Sequence, residues 1–207
     1  GLVIDTLFRG NMRRLGSYME GYGDLTLPLK APEYSKKKAM EYFARAGYRE
    51  MGTDGVLKNE RGERLVVELT FADSSVLMTN VCSILRQEAL KCGVDLRLDS
   101  LTYSVCSRKV FEKRYQAALW AWPLQTPFPR LYETFSSELA YDARGNPVGN
   151  TNNIMAVSDA ELDAALDAER NAPDTGSLKL ALHRAQQRLY ELCVWIPGWR
   201  EPYTHVA

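Results

Sequence analysis

Two histidines, His183 and His205, and four cysteines, Cys82, Cys92, Cys106 and Cys193, are the residues here best suited to acid–base, nucleophilic or metal chemistry. None stands in a spacing that such chemistry uses. There is no GxSxG turn to present a serine, no HExxH pair to hold zinc, and no GxxxxGK loop to cradle phosphate. The Gly21-Tyr22-Gly23 stretch is only a fragment of a glycine-rich loop and follows no predicted strand. The cysteines have no CxxC spacing, so neither a metal nor a cofactor is expected. Cys82 and Cys92, if they share a helix, lie roughly 15 Å apart along it, too far for a mutual disulfide. His183 or His205 acting as a general base keeps a hydrolase among the readings, against the simpler one of packed or surface histidines. Asp159, Asp163 and Asp167 form one row at helical spacing and read as a solvated helix face.

The unusual chemistry is aromatic. Tyr115, Trp120 and Trp122 crowd the end of a predicted strand, immediately before Pro123, Pro127 and Pro129. Prolines cannot donate to a ladder, so the chain must leave the sheet there. In parallel α/β sheets, solutes settle at the carboxyl ends of strands, and Trp supplies a broad apolar face with one N–H donor. Trp120 and Trp122 share a strand face, and packing into the core is the competing role for both.

The elements that must position these residues alternate in type. Ser35 caps a helix with Ala39, Tyr42, Phe43 and Ala46 on one face, closed by Gly47. Leu65, Val67, Leu69 and Phe71 alternate with Val66, Glu68 and Thr70, the period of a strand. Ser74 or Ser75 then caps a helix striped by Leu77, Val81, Ile84 and Leu85 and ended by Gly93. A second strand follows at Val94, Leu96 and Leu98. A strand, helix and strand of this length imply a right-handed crossover between parallel strands, so the fold class is α/β. A short helix over 107–114 leads to the third strand, 115–122, and another is expected over 129–136. Residues 141–153 form a long loop ending in Asn152-Asn153. Ser158 and Glu161 make a capping box, and a last helix covers 174–193.

With 207 residues, 45% of them hydrophobic, the chain supports one substantial core, read as a single domain: a helix end and loop over 1–34, an α/β core over 35–193 and a return segment over 194–207. The 26 basic and 26 acidic residues cancel, and Lys36–Lys38 is a solvated helix start, so no nucleic-acid partner is expected. No run approaches the ~20 apolar residues of a membrane helix. Starting at Gly1 and entering an apolar stretch at once, the sequence reads as an excised piece.

Several segments in order carry a family likeness: Tyr42-Phe43-Ala44-Arg45-Ala46-Gly47-Tyr48, Arg61-Gly62-Glu63-Arg64-Leu65, the Ile84 to Leu96 helix, glycine and strand, the strand ending in Trp, and Asn152-Asn153 before Val157-Ser158-Asp159-Ala160-Glu161-Leu162-Asp163. Together they resemble solute-binding protein family 5, the oligopeptide- and dipeptide-binding proteins of ABC importers, with a type II periplasmic-binding-protein fold. The resemblance implies one lobe, the C-terminal one. It further implies a periplasmic or extracellular parent protein of a kind that can carry a lipid anchor, a small solute as ligand, a membrane permease as partner, and no catalysis. It places ligand contacts at Tyr103, Trp120, Trp122, Gln125, Asn152 and Asn153. The acidic residue that holds a peptide's amine in such relatives becomes Gln125 if Trp122 and Pro129 are the matching pair, or Pro123 if Trp120 and Pro127 are. A neutral solute such as an oligosaccharide or a blocked peptide therefore stands beside peptides as a candidate. A sensor domain borrowing the same fold is the alternative.

Overall fold

The alternating patterns become seven helices and seven strands in a computed structural model that describes residues 2–121 and 130–200. In chain order these are α1 (Leu2–Leu7), β1 (Arg13–Arg14), α2 (Lys36–Arg45), β2 (Tyr48–Met51), β3 (Leu57–Asn59), β4 (Val66–Ala72), α3 (Val76–Lys91) and β5 (Asp95–Leu101). They continue with α4 (Tyr103–Phe111), β6 (Ala117–Leu119), α5 (Leu131–Phe135), α6 (Ala160–Arg170), α7 (Thr175–Leu192) and β7 (Trp199–Arg200). Where the sequence suggests a single core, the described residues form two compact units. Each has its own hydrophobic cluster.

The first unit comprises 2–7, Glu33–Lys109 and Arg114–Ala121. At its centre is a three-stranded parallel sheet of order β5-β4-β6. β4 pairs with β5 from Val66↔Asp95 to Ala72↔Leu101, and with β6 from Leu69↔Ala117 to Phe71↔Leu119. The period of two decides the faces. Leu69 and Phe71 turn to one side with Leu96, Leu98, Ala117 and Leu119, and there they meet Cys82, Met78 and Leu85 of α3. Ser75 starts α3 by accepting from the Met78 N–H at 3.2 Å. Val81 and Cys82 are its buried residues, whereas Leu77, expected in the stripe, is 37% exposed. A period of 3.6 leaves a choice of which neighbouring residue faces the sheet, and the small thiol takes the place of the leucine.

The other sheet face is polar. Lys109 of α4 donates to Glu68 of β4 and Asp99 of β5, both at 2.7 Å, and Thr70 donates to Asp99 at 2.9 Å. This network pins α4 across two strands. Gly93 ends α3 at φ +83°, where an added Cβ would stand 2.6 Å from Leu57 Cγ. Its carbonyl accepts from the Leu57 N–H at 2.8 Å, tying the β2–β3 hairpin to the sheet entrance.

The second unit takes in Phe8–Pro32, Val110–Lys113 and the described residues from 130 onward. Leu131 and Phe135 of α5, Leu162, Ala165 and Leu166 of α6, and Leu182, Ala185 and Leu189 of α7 form its core with Met19 and Leu25. Asp159 caps α6 through the Leu162 N–H and grips Arg188 of α7 with both oxygens, at 2.9 and 2.7 Å. That guanidinium, helped by the Leu162 N–H, holds the Asp159 carboxyl down at about 2. Asp163 accepts from the Ser137 N–H at 2.9 Å. Two members of the acidic row therefore work inside the fold rather than on a solvated face. The buried amide of Gln186 donates to the Leu25 carbonyl at 2.8 Å and accepts from the Leu27 N–H at 2.9 Å, so α7 holds the 17–27 loop in place.

Several boundaries differ from the sequence reading. α4 starts at Tyr103 rather than near 107, the third strand keeps only Ala117–Leu119, and the cap of α6 is Asp159 rather than Ser158. α2 buries none of its residues, and Tyr42 is 65% exposed. The hairpin of β2 and β3 leaves no alternating pattern in the sequence, because its strands are short and its pairing carries a register shift.

Two outcomes follow from this packing. Gly93→Ala adds a Cβ into Leu57 and strains a left-handed backbone, so urea unfolding should show a loss of about 1–3 kcal/mol. Glu169 of α6 accepts from the Leu131 and Tyr132 N–H groups at 3.1 and 3.2 Å, and burial pushes its carboxyl up to about 7 against those two donors, with Glu133 adding to the rise. The folded state thus binds the proton more tightly than the unfolded chain does. Glu169's contribution is complete below about pH 4.5 and lost as pH rises through 7, at no more than about 1.4 kcal/mol per pH unit. Glu169→Gln should flatten that slope in denaturation series between pH 4.5 and 8.

Candidate functional site

The three parallel strands finish side by side, and each is followed at once by a residue with a distinct side chain. β4 gives Asp73, β5 gives Thr102 and then Tyr103, and β6 gives Trp120. One further bond extends the ladder past its last pair, from the Asp73 N–H to the Leu101 carbonyl at 2.9 Å. Chain order β4, β5, β6 in spatial order β5-β4-β6 means that the chain passes from β4 to β5 on one side and then crosses back over β4 to β6 on the other. In open parallel sheets, ligands bind beside the carboxyl ends of the strands where strand order reverses, because side chains there reach a solute without disturbing the ladder.

Two of the sequence-derived candidates meet there. The rings of Tyr103 and Trp120 stack with centroids 6.1 Å apart and planes 15° from parallel. Tyr103 is 62% exposed and Trp120 half-buried, so the pair presents aromatic surface to solvent while staying anchored to the sheet. What fixes Tyr103 is the polar side of the sheet: it opens α4, whose next turns carry Cys106, fully buried, and Lys109, bonded to two strands. The Cys106 thiol is pushed up, first by burial and then by the Asp99 charge, with Lys109 opposing. A buried thiol held in its protonated form is a packing group, not a nucleophile.

Asn152 and Asn153 belong to the second unit. The loop preceding them is organised by Lys113, whose ammonium donates to the Leu139 carbonyl at 3.2 Å, to Thr151 Oγ1 at 2.9 Å and to the Val148 carbonyl. Asn152 is exposed. Asn153 is fully buried, and its amide donates to the Ser136 and Val157 carbonyls at 2.9 Å each while its oxygen accepts from the Val157 N–H at 3.0 Å. That carboxamide is committed to the entry of α6. Trp122 and Gln125 lie outside the described residues, as do Pro123, Pro127 and His205.

His183 Nε2 lies 3.1 Å from the Asp24 carbonyl, on the exposed side of α7. Among the described residues no three His, Cys, Asp or Glu side chains are placed to hold a metal, and no helix is long and apolar enough to cross a membrane. The four cysteines are unpaired, three of them buried and Cys193 exposed. Lys109 carries no signal in the sequence, because its two partners lie on different strands.

The fold matches one lobe of several solute-binding proteins of known structure. No family model matches the sequence. The oligopeptide-binding protein AppA of Bacillus subtilis is 23% identical over 174 residues, which is 83% of this chain and 29% of AppA. The structure of that protein in complex with a nonapeptide superimposes with a TM-score of 0.82 at 17% identity, covering 95% of this chain and 38% of AppA. The oligopeptide-binding protein of Thermus thermophilus with a pentapeptide gives 0.79 at 18% identity, over 96% of this chain and 35% of that one. A periplasmic oligopeptide-binding protein of Thermotoga maritima with bound mannohexaose gives 0.77 at 13%, over 96% and 38%. The chain thus spans between 29% and 38% of these proteins' lengths.

Removing the Lys109 charge leaves Glu68 and Asp99 facing each other at the sheet. Lys109→Met should therefore destabilise the fold by about 1–2 kcal/mol, a fall of roughly 2–8 °C in the thermal midpoint.

Proposed function

We propose that this chain is one lobe of a solute-binding protein of an ABC importer, and that the carboxyl end of the β5-β4-β6 sheet is its share of the solute site. The observation that carries this reading is the exposed Tyr103–Trp120 stack at the switch point of a parallel sheet. Aromatic faces bind apolar and amphipathic solutes by contact area, and they supply no group that makes or breaks a bond. The bound peptides and mannohexaose of the structural neighbours support a small solute, peptide or oligosaccharide, as ligand.

In this reading the whole protein works outside the cytoplasmic membrane. A second lobe closes over the solute about a hinge, and the closed form delivers it to a membrane permease. The family likeness further proposes Trp122, Gln125 and Asn152 as ligand contacts of the whole protein, and Asn153 sets the loop on which Asn152 sits. One lobe supplies only part of the buried contact area, so these 207 residues by themselves should bind solute weakly.

Calorimetry with short peptides and with mannohexaose tests this. Dissociation constants weaker than about 100 μM are expected, and Trp120→Ala should remove the residual heat. Submicromolar binding by the isolated chain would show a complete site within it and overturn the two-lobe reading.

A further inference from the structure

We infer that the oxygens gathered around Lys113 form a monovalent-cation site, which the chain fills with its own ammonium group and which takes a primary alkylammonium ion once that side chain is cut back. The site belongs to the second unit and goes beyond the proposed function, which stands whether or not this site does.

Donors and acceptors match one for one. An ammonium offers three N–H donors and no acceptor. Around Lys113 Nζ stand three oxygens to meet them: the Leu139 carbonyl at 3.2 Å, Thr151 Oγ1 at 2.9 Å and the Val148 carbonyl. Thr151 gives its own proton to the Leu139 carbonyl at 2.6 Å, so its lone pairs are left for the lysine. A neutral amine would turn a lone pair toward one of these oxygens, and the arrangement therefore suits the charged form. Among the described residues no carboxylate bonds to Lys113. Burial pulls its pKa below the ordinary lysine value, a penalty on the charge that the three bonds offset. Two carbonyls and a hydroxyl, without a formal charge among them, fit a monovalent cation, whereas calcium and magnesium take about six or more oxygens with carboxylates among them.

The backbone points the same way. Lys113 lies two residues past the end of α4 at φ +58°, in the left-handed region that glycine enters freely and a long side chain does not. What its ammonium holds accounts for a lysine there. Leu139 and Thr151 are 12 residues apart in the chain. Between them Asp142 closes a turn by accepting from the Arg144 and Asn146 N–H groups, and the Asn150 N–H donates to the Phe111 carbonyl at 2.9 Å. The loop thus wraps residues 111–113 much as an ion-binding loop wraps its ion, and it runs directly into Asn152 and Asn153.

Packing of the lysine's methylene chain is the competing account of the same contacts, and two variants separate it from charge. Lys113→Met keeps the length and removes the ammonium. Lys113→Ala removes a fragment equivalent to propylammonium and leaves position 113 with the same left-handed demand. Thermal unfolding near neutral pH should show midpoints lowered by about 3–10 °C in both. At about 50 mM, propylammonium chloride should raise the Lys113→Ala midpoint by about 2–4 °C relative to sodium chloride. Wild type and Lys113→Met should not respond, because a side chain already fills the site in each. Tetramethylammonium, which has no N–H, and neutral 1-propanol should not raise the Lys113→Ala midpoint.

A Lys113→Met midpoint equal to that of wild type would show that packing, not charge, holds the loop. No rise with propylammonium, or an equal rise with 1-propanol or tetramethylammonium, would remove the ammonium site. Should Lys113→Ala fail to fold, the wild-type chain still decides. An ammonium bonded to three protein oxygens exchanges its protons slowly with water, so one lysine side-chain N–H resonance, missing from Lys113→Met, should persist near neutral pH where solvated lysines lose theirs. Its absence from the wild-type spectrum would overturn the inference.

Discussion

The parallel ladder that holds β4 between β5 and β6 is the constraint from which the rest of the first unit follows. Seven register pairs bind β4 to β5 and three bind it to β6, and since all run in one direction, the segments leaving them emerge at one edge. Both rings of the exposed stack belong to residues within two positions of a strand end. Moving β6 by a single residue relative to β4 would exchange its faces, turning Ala117 and Leu119 away from Cys82 and taking Trp120 away from Tyr103. The packing of α3 and the aromatic stack therefore depend on the same hydrogen bonds.

The two sheet faces divide the labour. The face covered by α3 is apolar and adapts by size, which is why a cysteine fills a place where the spacing suggests leucine. The face covered by α4 carries Glu68, Thr70 and Asp99, and only a cation reaching across two strands makes that arrangement tolerable. Apolar packing tolerates some sliding, whereas a lysine bonded to two carboxylates fixes rotation and height together. The helix set this way is the one whose first residue is Tyr103, so the precision of the exposed edge comes from a polar network on the other side of the sheet surface.

The second unit solves a similar problem with different means. Its helices pack through aliphatic stripes, but the loops between them are held by single polar side chains with several partners each: Gln186 for the 17–27 loop, Lys113 for the loop before Asn152, and Asn153 and Asp159 for the entry of α6. Long connections with little apolar content are ordered in this way because each buried donor or acceptor must find a partner, and one multivalent side chain satisfies several backbone groups at once. Asn153 shows the cost of reading such residues from sequence: an asparagine in a loop looks available to a ligand until its three bonds are traced.

Local pattern alone was enough for the α/β class, the strand, helix and strand from Leu65 to Asp99, the Ser35 and Ser75 caps, and the presence of aromatic surface where a strand meets prolines. Those features depend on periodicity and on side chains bonding within four residues of themselves, so they are written in neighbouring letters. The hairpin of β2 and β3, the choice of Asp159 as cap and the division into two cores were decided by contacts between distant segments. The same holds for the site. Trp120 and Tyr103 each stood out as aromatic residues near a strand end, but that they stack on one another over β4 follows from β5 and β6 lying on opposite sides of β4. Strand order in space is a property of the assembled sheet, and no local spacing encodes it.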